Sequence, residues 1–439
     1  MKSFAILSLG CARNLVDSEV IAGSLKRCGL EMAGPERASA DILVINTCAF
    51  IDSARRESVD AILEAAAAKA KGDIKKLVIC GCLPQMYGNR IARELREADL
   101  VFGTGSPDYL YDEHSPRFRL TPKHYAYVKI SEGCSNLCSY CIISRLRGAF
   151  RSRTVGSVVK EVEKLSGAQS LREINLIGQD TTLFGIDVYG KPVLAQLLRE
   201  ICRIKNNVKW VRLLYTHPAH YTDGLISTIR DEKKVCRYLD LPIQHASDRI
   251  LALMNRRTTK KEVTALIDRL RKKIPGLVLR TSVIVGFPGE TDKDFRELLN
   301  YMRKVRFERL GAFIYSREGG TRASRFKGHL PMKVKRERLD ELMKLQQKIS
   351  AELNKSFIGK TIEVLIDEKI DTHNTQRSAE RSGASPEGTT HNEYIGRTQG
   401  DAPEIDCGVY VSGRNLKAGE FRKVRITDAL EYDLIGEAV

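Results

Sequence analysis

No run of about 18 apolar residues occurs in the 439-residue chain, which argues against a membrane-spanning helix. The start, MKSFAILSLGCARNLVDSE, has only a short apolar run, soon followed by acidic residues and an amphipathic pattern. It does not read as a secretory leader, so a soluble, cytosolic protein with no membrane partner is predicted. Acidic residues are also in short supply, 55 against 72 basic ones, for a formal charge of +17. That excess predicts an anionic partner, with nucleic acid or a ribonucleoprotein the natural class. GTGSPD (103–108) lacks the third glycine and the Lys-Ser/Thr ending of a phosphate loop, so no nucleotide cradle is expected there.

Cysteine, by contrast, is plentiful, with eleven residues. In a reducing compartment such thiols point to metal or catalysis rather than to disulfides. SEGCSNLCSYC (131–141) places Cys134, Cys138 and Cys141 in a C-x3-C-x2-C pattern. A structural zinc wants four ligands, usually as two pairs, and a disulfide framework wants an even count. Three thiolates on one short loop suit a cubic iron–sulfur cluster that leaves one iron open, since such clusters normally take four cysteines. S-adenosylmethionine fits that open iron through its amino and carboxylate groups. Electron transfer from the cluster would then release a 5′-deoxyadenosyl radical, which can take hydrogen from unactivated carbon.

The rest of the chain is an ordinary globular mixture, 42% hydrophobic and 29% charged, with length for about three domains. Residues 1–115 alternate strand and helix, with strands at FAILSLG (4–10), DILVINT (41–47) and KKLVICG (75–81), which predicts a parallel α/β domain. Each strand runs out at a cysteine: Cys11, Cys48 and Cys82. Ligands gather beyond the carboxyl ends of strands in open parallel sheets, so these three form a candidate ligand set. Cys80, inside the third strand, reads as a buried small hydrophobe.

Residues 120–355 hold six further strands: YAYVKIS (125–131), EINLIGQ (173–179), KWVRLLY (209–215), RYLDLPIQ (237–244), LVLRTSVIVG (277–286) and RLGAFIY (309–315). Six repeats are too few for a closed eight-fold barrel, so an open, partial (βα)6 TIM-like barrel is expected, with the triple-cysteine loop on its catalytic face. MKVKRERLDELMKLQQKISAELNK (332–355) reads as a charged helix leading outward. Residues 357–439 carry short strands separated by turns, predicting a small antiparallel β barrel. A polar, apolar-poor insertion at 369–392 interrupts it and reads as a mobile loop.

The triple-cysteine loop after the first strand of a partial barrel, with Tyr140 before the third cysteine, resembles the radical S-adenosylmethionine superfamily. With the three-cysteine first domain and the terminal β barrel, essentially the whole chain resembles the methylthiotransferases. The resemblance implies a second [4Fe-4S] cluster on Cys11, Cys48 and Cys82 whose open iron carries the sulfur to be inserted, and a TRAM domain at residues 357–439 that binds RNA or the macromolecular substrate. It places Tyr140 near adenine. It makes Gln179, in the "IGQD" that stands where relatives have Gly-Gly-Glu, the contact for the methionyl amine. No catalytic side chain is expected beyond the cluster ligands.

The stretches NTCAFIDSARRES, GCLPQMY, GQDTTLFGIDVYG, DLPIQHASDRIL and GAFIYSREGGT look like the RimO-type branch, which modifies an aspartate of ribosomal protein S-12. The alternative is the MiaB-type branch, which modifies a tRNA adenosine. The implied reaction uses two S-adenosylmethionine molecules per turnover, one donating methyl to cluster-bound sulfur and one cleaved at the Cys134/Cys138/Cys141 cluster. Methylthio is inserted at the aspartate β-carbon. A reductant such as flavodoxin or ferredoxin, a sulfur donor and oxygen sensitivity follow. Ser144 stands where relatives usually have proline, and Gly319 where glutamate is common. His217 and His220 in THPAH admit a metal pair, but a structural or substrate-facing role is favoured beside the proline. VGFPGE (285–290) either approaches the cofactor or turns the chain. His245 is read either as pocket-facing or as a satisfied core histidine.

Overall fold

The computed structural model describes residues 2–34, 40–104, 111–370 and 392–439. Most of the 369–392 insertion and of GTGSPD therefore lies outside the described residues. The first sheet comprises β1 (Ser3–Ser8), β2 (Glu31–Met32), β3 (Ile42–Thr47), β4 (Lys76–Gly81) and β5 (Leu100–Gly103), all parallel in the order β2-β1-β3-β4-β5. Its middle strands are near-continuous apolar runs, as a parallel sheet covered on both faces requires. The short edge strands β2 and β5 escape a periodicity reading because two to four residues carry too little pattern.

The central sheet is made of β6 (Tyr125–Lys129), β9 (Glu173–Ile177), β10 (Trp210–Leu213), β11 (Val235–Asp240), β12 (Val278–Val285) and β13 (Arg309–Ile314). A two-stranded hairpin of β7 (Ser131–Glu132) and β8 (Arg151–Ser152) brackets the cysteine loop. The six strands follow one another in space as in sequence, all parallel, and the sheet stays open. Its core is aliphatic, with Val128, Leu176, Leu213, Leu239 and Val283 buried between sheet and helices. The helices carry their own stop and start signals. Thr259 with Glu262, and Thr291 with Asp294, form reciprocal caps at the starts of Lys260–Lys273 and Asp292–Val305. The helix Met332–Lys355 does not lead outward. It lies along the barrel edge, burying Leu342 and Ile349, and Lys335 donates to the Tyr315 carbonyl. A charged stripe masks that apolar face because long Lys and Arg stems cover it.

The last sheet, β14 (Thr361–Lys369), β15 (Asn392–Arg397), β16 (Val409–Gly413), β17 (Phe421–Ala429) and β18 (Leu434–Ala438), is a closed five-stranded barrel. Four seams are antiparallel. The fifth, β16 with β18, is parallel, because β17 runs between them in sequence and reverses the chain twice. Its β15–β16 connection inserts into the amino-terminal end of the central barrel. There Arg212 and Arg397 share the buried Glu173, Arg309 holds Asp401, and Arg280 holds Asp406. Breaking one such pair would leave an uncompensated buried charge at about 3–5 kcal/mol, so the seam specifies one docking. With that end plugged, the carboxyl ends of the strands are left for chemistry.

Candidate functional site

Cys11, Cys48 and Cys82 lie at the ends of β1, β3 and β4, and the chain is built to bring them together. Gly10 and Gly81 both sit in the left-handed region, at φ +87° and +96°. A Cβ on Gly10 would stand 2.6 Å from Cys48 Cβ, and one on Gly81 would stand 2.3 Å from Asn46 Oδ1. Only glycine allows turns this close. Beneath the thiols Asn14 donates to the carbonyls of Leu9, Asn46 and Thr47 at 2.7–3.2 Å, tying the ends of β1 and β3. Ser58 grips both the N–H and the carbonyl of Cys48. Cys80 points elsewhere, buried among Phe4, Ile6, Ala22 and Val44.

Cys134, Cys138 and Cys141 share the loop between β7 and β8. Gly133, at φ +76°, would place a Cβ 2.1 Å from the Ala149 carbonyl, so the loop folds tightly over its own return. Ser139 pins its far side by donating from N–H to Met254 O and from Oγ to Leu253 O. Asn255 donates to the Leu137 carbonyl. Burial pushes the Cys141 thiol up to about 12 and raises Cys134. Burial likewise raises Cys82, and it takes Cys48 up to about 11. Cys11 goes the other way. Burial would raise it, but Arg13, Arg147 and the backbone N–H groups of Asn14 and Arg13 outweigh that. All eleven cysteines are free thiols. Closely packed thiols are the soft donor chemistry that a cationic iron–sulfur group satisfies.

Between the two trios lies a seam of buried charge. Lys129 pairs with Asp17 and Glu132, and Arg147 with Asp17. Arg147 also donates to Asn14 Oδ1 at 2.9 Å and to Cys82 Sγ at 3.5 Å. Arg256 approaches Cys138 Sγ at 3.8 Å. Arg13 donates to the Gly178 carbonyl at 2.8 Å, with its guanidinium 4.4 Å from the Tyr215 ring centre. Farther out, Arg55 reaches across the seam to Glu318. A cavity of about 420 Å³ opens there, lined by Arg55, Tyr87, Ile142, Arg145 and Gly319 among others. Sequence reading missed Arg13, Arg147 and Arg256, because a lone arginine carries no spacing signal.

Gln179 donates to Glu132, and its Oε1 is buried without a hydrogen-bond partner. An acceptor left open beside the triple-cysteine loop fits a ligand amine. Tyr140 packs against the cluster of Ile250, Met254, Phe287 and Tyr315. Among the described residues, Asp180, His217 and His220 present ligand-type atoms within 4.8 Å of one another. Each is already committed. Asp180 accepts from Thr182, Asn136 and His220, and His217 Nδ1 accepts from Ala219 N–H. Burial lowers His217 to about 2, so it stays neutral. Through Asn136 the group braces the cysteine loop. His245 is a core histidine: Nδ1 accepts from Ser247 N–H at 2.9 Å, and burial lowers it to about 3.

Comparisons with known proteins agree with this layout. Residues 128–302 match the radical SAM superfamily, 3–103 an uncharacterized protein family (UPF0004) and 358–439 the TRAM domain. The chain is 44% identical to the ribosomal protein uS12 methylthiotransferase RimO of Clostridioides difficile, covering 100% of this chain and 99% of that one. It is 44% identical to the protein of that name from Geobacter sulfurreducens, covering 99% and 98%. Among solved structures it resembles the radical S-adenosylmethionine methyltransferase TsrM of Kitasatospora setae, seen with cobalamin and a [4Fe-4S] cluster, at a TM-score of 0.51 and 14% identity over 72% of this chain and 75% of that one. That likeness bears on fold alone, whereas the full-length identity settles kinship: the chain belongs to the RimO family of radical S-adenosylmethionine methylthiotransferases.

Proposed function

We propose that this protein inserts a methylthio group at the β-carbon of an aspartate of ribosomal protein S-12, using two [4Fe-4S] clusters. One would be held by Cys134, Cys138 and Cys141 and the other by Cys11, Cys48 and Cys82. The observation that carries the reading is two sets of three thiols flanking one buried seam, with Arg147 of the barrel reaching across it to Asp17 and Cys82. S-adenosylmethionine, given one electron by the reduced cluster on Cys134, Cys138 and Cys141, would supply a radical able to take hydrogen from unactivated carbon. The chain's own groups bind and shield. Gln179 Oε1, which has no partner, would accept from the methionyl amine, Tyr140 would flank adenine, and Arg256 would neutralise charge at Cys138. The division at 1–115, 120–355 and 357–439 separates sulfur delivery, radical generation and substrate docking. The setting is cytoplasmic, with a flavodoxin- or ferredoxin-type reductant, a sulfur donor and an RNA contact as partners.

The test is mass spectrometry on enzyme reconstituted without oxygen, given S-adenosylmethionine, reductant and a sulfur source. S-12 and bulk tRNA are offered in parallel. A methylthio increment on an aspartate of S-12 is expected. An increment on tRNA adenosine alone would overturn the substrate assignment.

A further inference from the structure

The buried cations at the seam each have a carboxylate or thiol as a direct partner among the described residues. Lys129 and Arg147 share Asp17 and Glu132, Arg280 holds Asp240 and Asp406, and Arg256 faces Cys138 Sγ. Arg13 has no carboxylate within ion-pair distance among the described residues. Its one hydrogen bond there goes to the neutral Gly178 carbonyl. It is half-buried, so an anion can reach it while water only partly screens it.

Its position is built. Arg13 is the second residue of the helix Ala12–Arg27 that Cys11 caps, and its charge acts on Cys11 and on Cys141, one member of each trio. One nitrogen is pinned to the end of β9, and the guanidinium is held by the ring of Tyr215. Tyr215 itself takes φ +58°, a conformation that costs a non-glycine residue energy and that the Asp240 carboxylate secures by accepting from its N–H at 3.0 Å. A guanidinium stacked and anchored at one nitrogen still offers further N–H groups, in the fork that carboxylates fit.

We infer that Arg13 is a specificity-determining residue that binds the side-chain carboxylate of the substrate aspartate. This rests on the S-12 reading above. The β-carbon is one bond from that carboxylate, so a clamp between the two thiol trios holds the reacting carbon within reach of both. Asparagine has the same shape without the charge, so Arg13 is also the group that tells the two apart.

The test is binding of labelled S-12 to anaerobically reconstituted enzyme without S-adenosylmethionine, read by fluorescence anisotropy. S-12 with its target aspartate is compared with S-12 carrying asparagine there. Wild-type enzyme is expected to prefer aspartate by about 30-fold, the low end for removing one partner of a buried charge pair. Arg13→Gln is expected to bring that ratio to about one, mainly by weakening the aspartate form, and Arg13→Lys to keep part of it. Iron content checks that each variant holds its clusters. No preference in wild type, or the same preference in Arg13→Gln with iron intact, would overturn the inference while S-12 methylthiolation still stood. Modification of tRNA in place of S-12 would remove the reading and the inference together.

Discussion

The Arg147 guanidinium, carried by the segment just after the triple-cysteine loop, donates to Cys82 Sγ at 3.5 Å, on the far side of the seam. The same side chain pairs with Asp17 at 2.6 Å, 130 residues away in sequence. One arginine thus reaches from the segment after the second trio to a thiol of the first and neutralises a buried carboxylate. Arg147→Met is expected to leave Asp17 with Lys129 alone and to destabilise the protein by about 3 kcal/mol. It should also weaken retention of the cluster proposed at Cys82. Chemical denaturation and iron analysis check both, with iron falling toward about half. Arg147→Lys should recover part of the stability.

The two trios should separate functionally. Alanine at Cys11, Cys48 or Cys82 is expected to abolish methylthio insertion while 5′-deoxyadenosine still forms from S-adenosylmethionine. Alanine at Cys134, Cys138 or Cys141 should abolish both. Chromatography with mass detection of the two products gives the answer. Loss of 5′-deoxyadenosine in the first set, with the other cluster intact by spectroscopy, would contradict the assignment.

Gln179 presents an unpaired buried acceptor. Gln179→Leu removes it and is expected to weaken S-adenosylmethionine binding by about tenfold, the worth of one hydrogen bond to a charged group. Equilibrium dialysis with the reconstituted enzyme measures it. Affinity for S-12 should be unchanged.

His245 is lowered by burial to about 3, opposed by the Asp294 carboxylate and aided by Arg338 and Arg249. The unfolded chain binds a proton near pH 6.5, and the folded chain does not until far lower pH. Stability from this site is therefore present above about pH 6.5 and lost as pH falls. Between pH 7 and pH 5 the loss is about 2 kcal/mol. His245→Asn, whose carbonyl can still accept from Ser247 N–H, should flatten that part of the profile in urea titrations. An unchanged slope would mean that the imidazole is not held neutral.

Much of the fold was legible because its signals are local. The alternation of apolar runs and amphipathic helices marks the six central strands, and each of β1, β3 and β4 can be read from a handful of residues. The three cysteines at strand ends were legible for the same reason, since strand direction alone sends them to one edge. The edge strands were too short to read. The helix Met332–Lys355 was misjudged as leading outward because its charge conceals a packed face. Glu173 with Arg212 and Arg397 was invisible as well. No pattern in sequence links a residue of β9 to one 224 positions later.

The sequence by itself determined where the thiols lie and which strand ends carry them, because spacing and periodicity act over a few residues. Only the tertiary structure decided which cations stand among them. Arg13, Arg147 and Arg256 take their roles from carboxylates, carbonyls and sulfurs brought close by packing one sheet against another. A buried charge is tolerated only where that packing supplies its partner. Arg13 is held there by a carbonyl and an aromatic ring, with no carboxylate at ion-pair distance among the described residues.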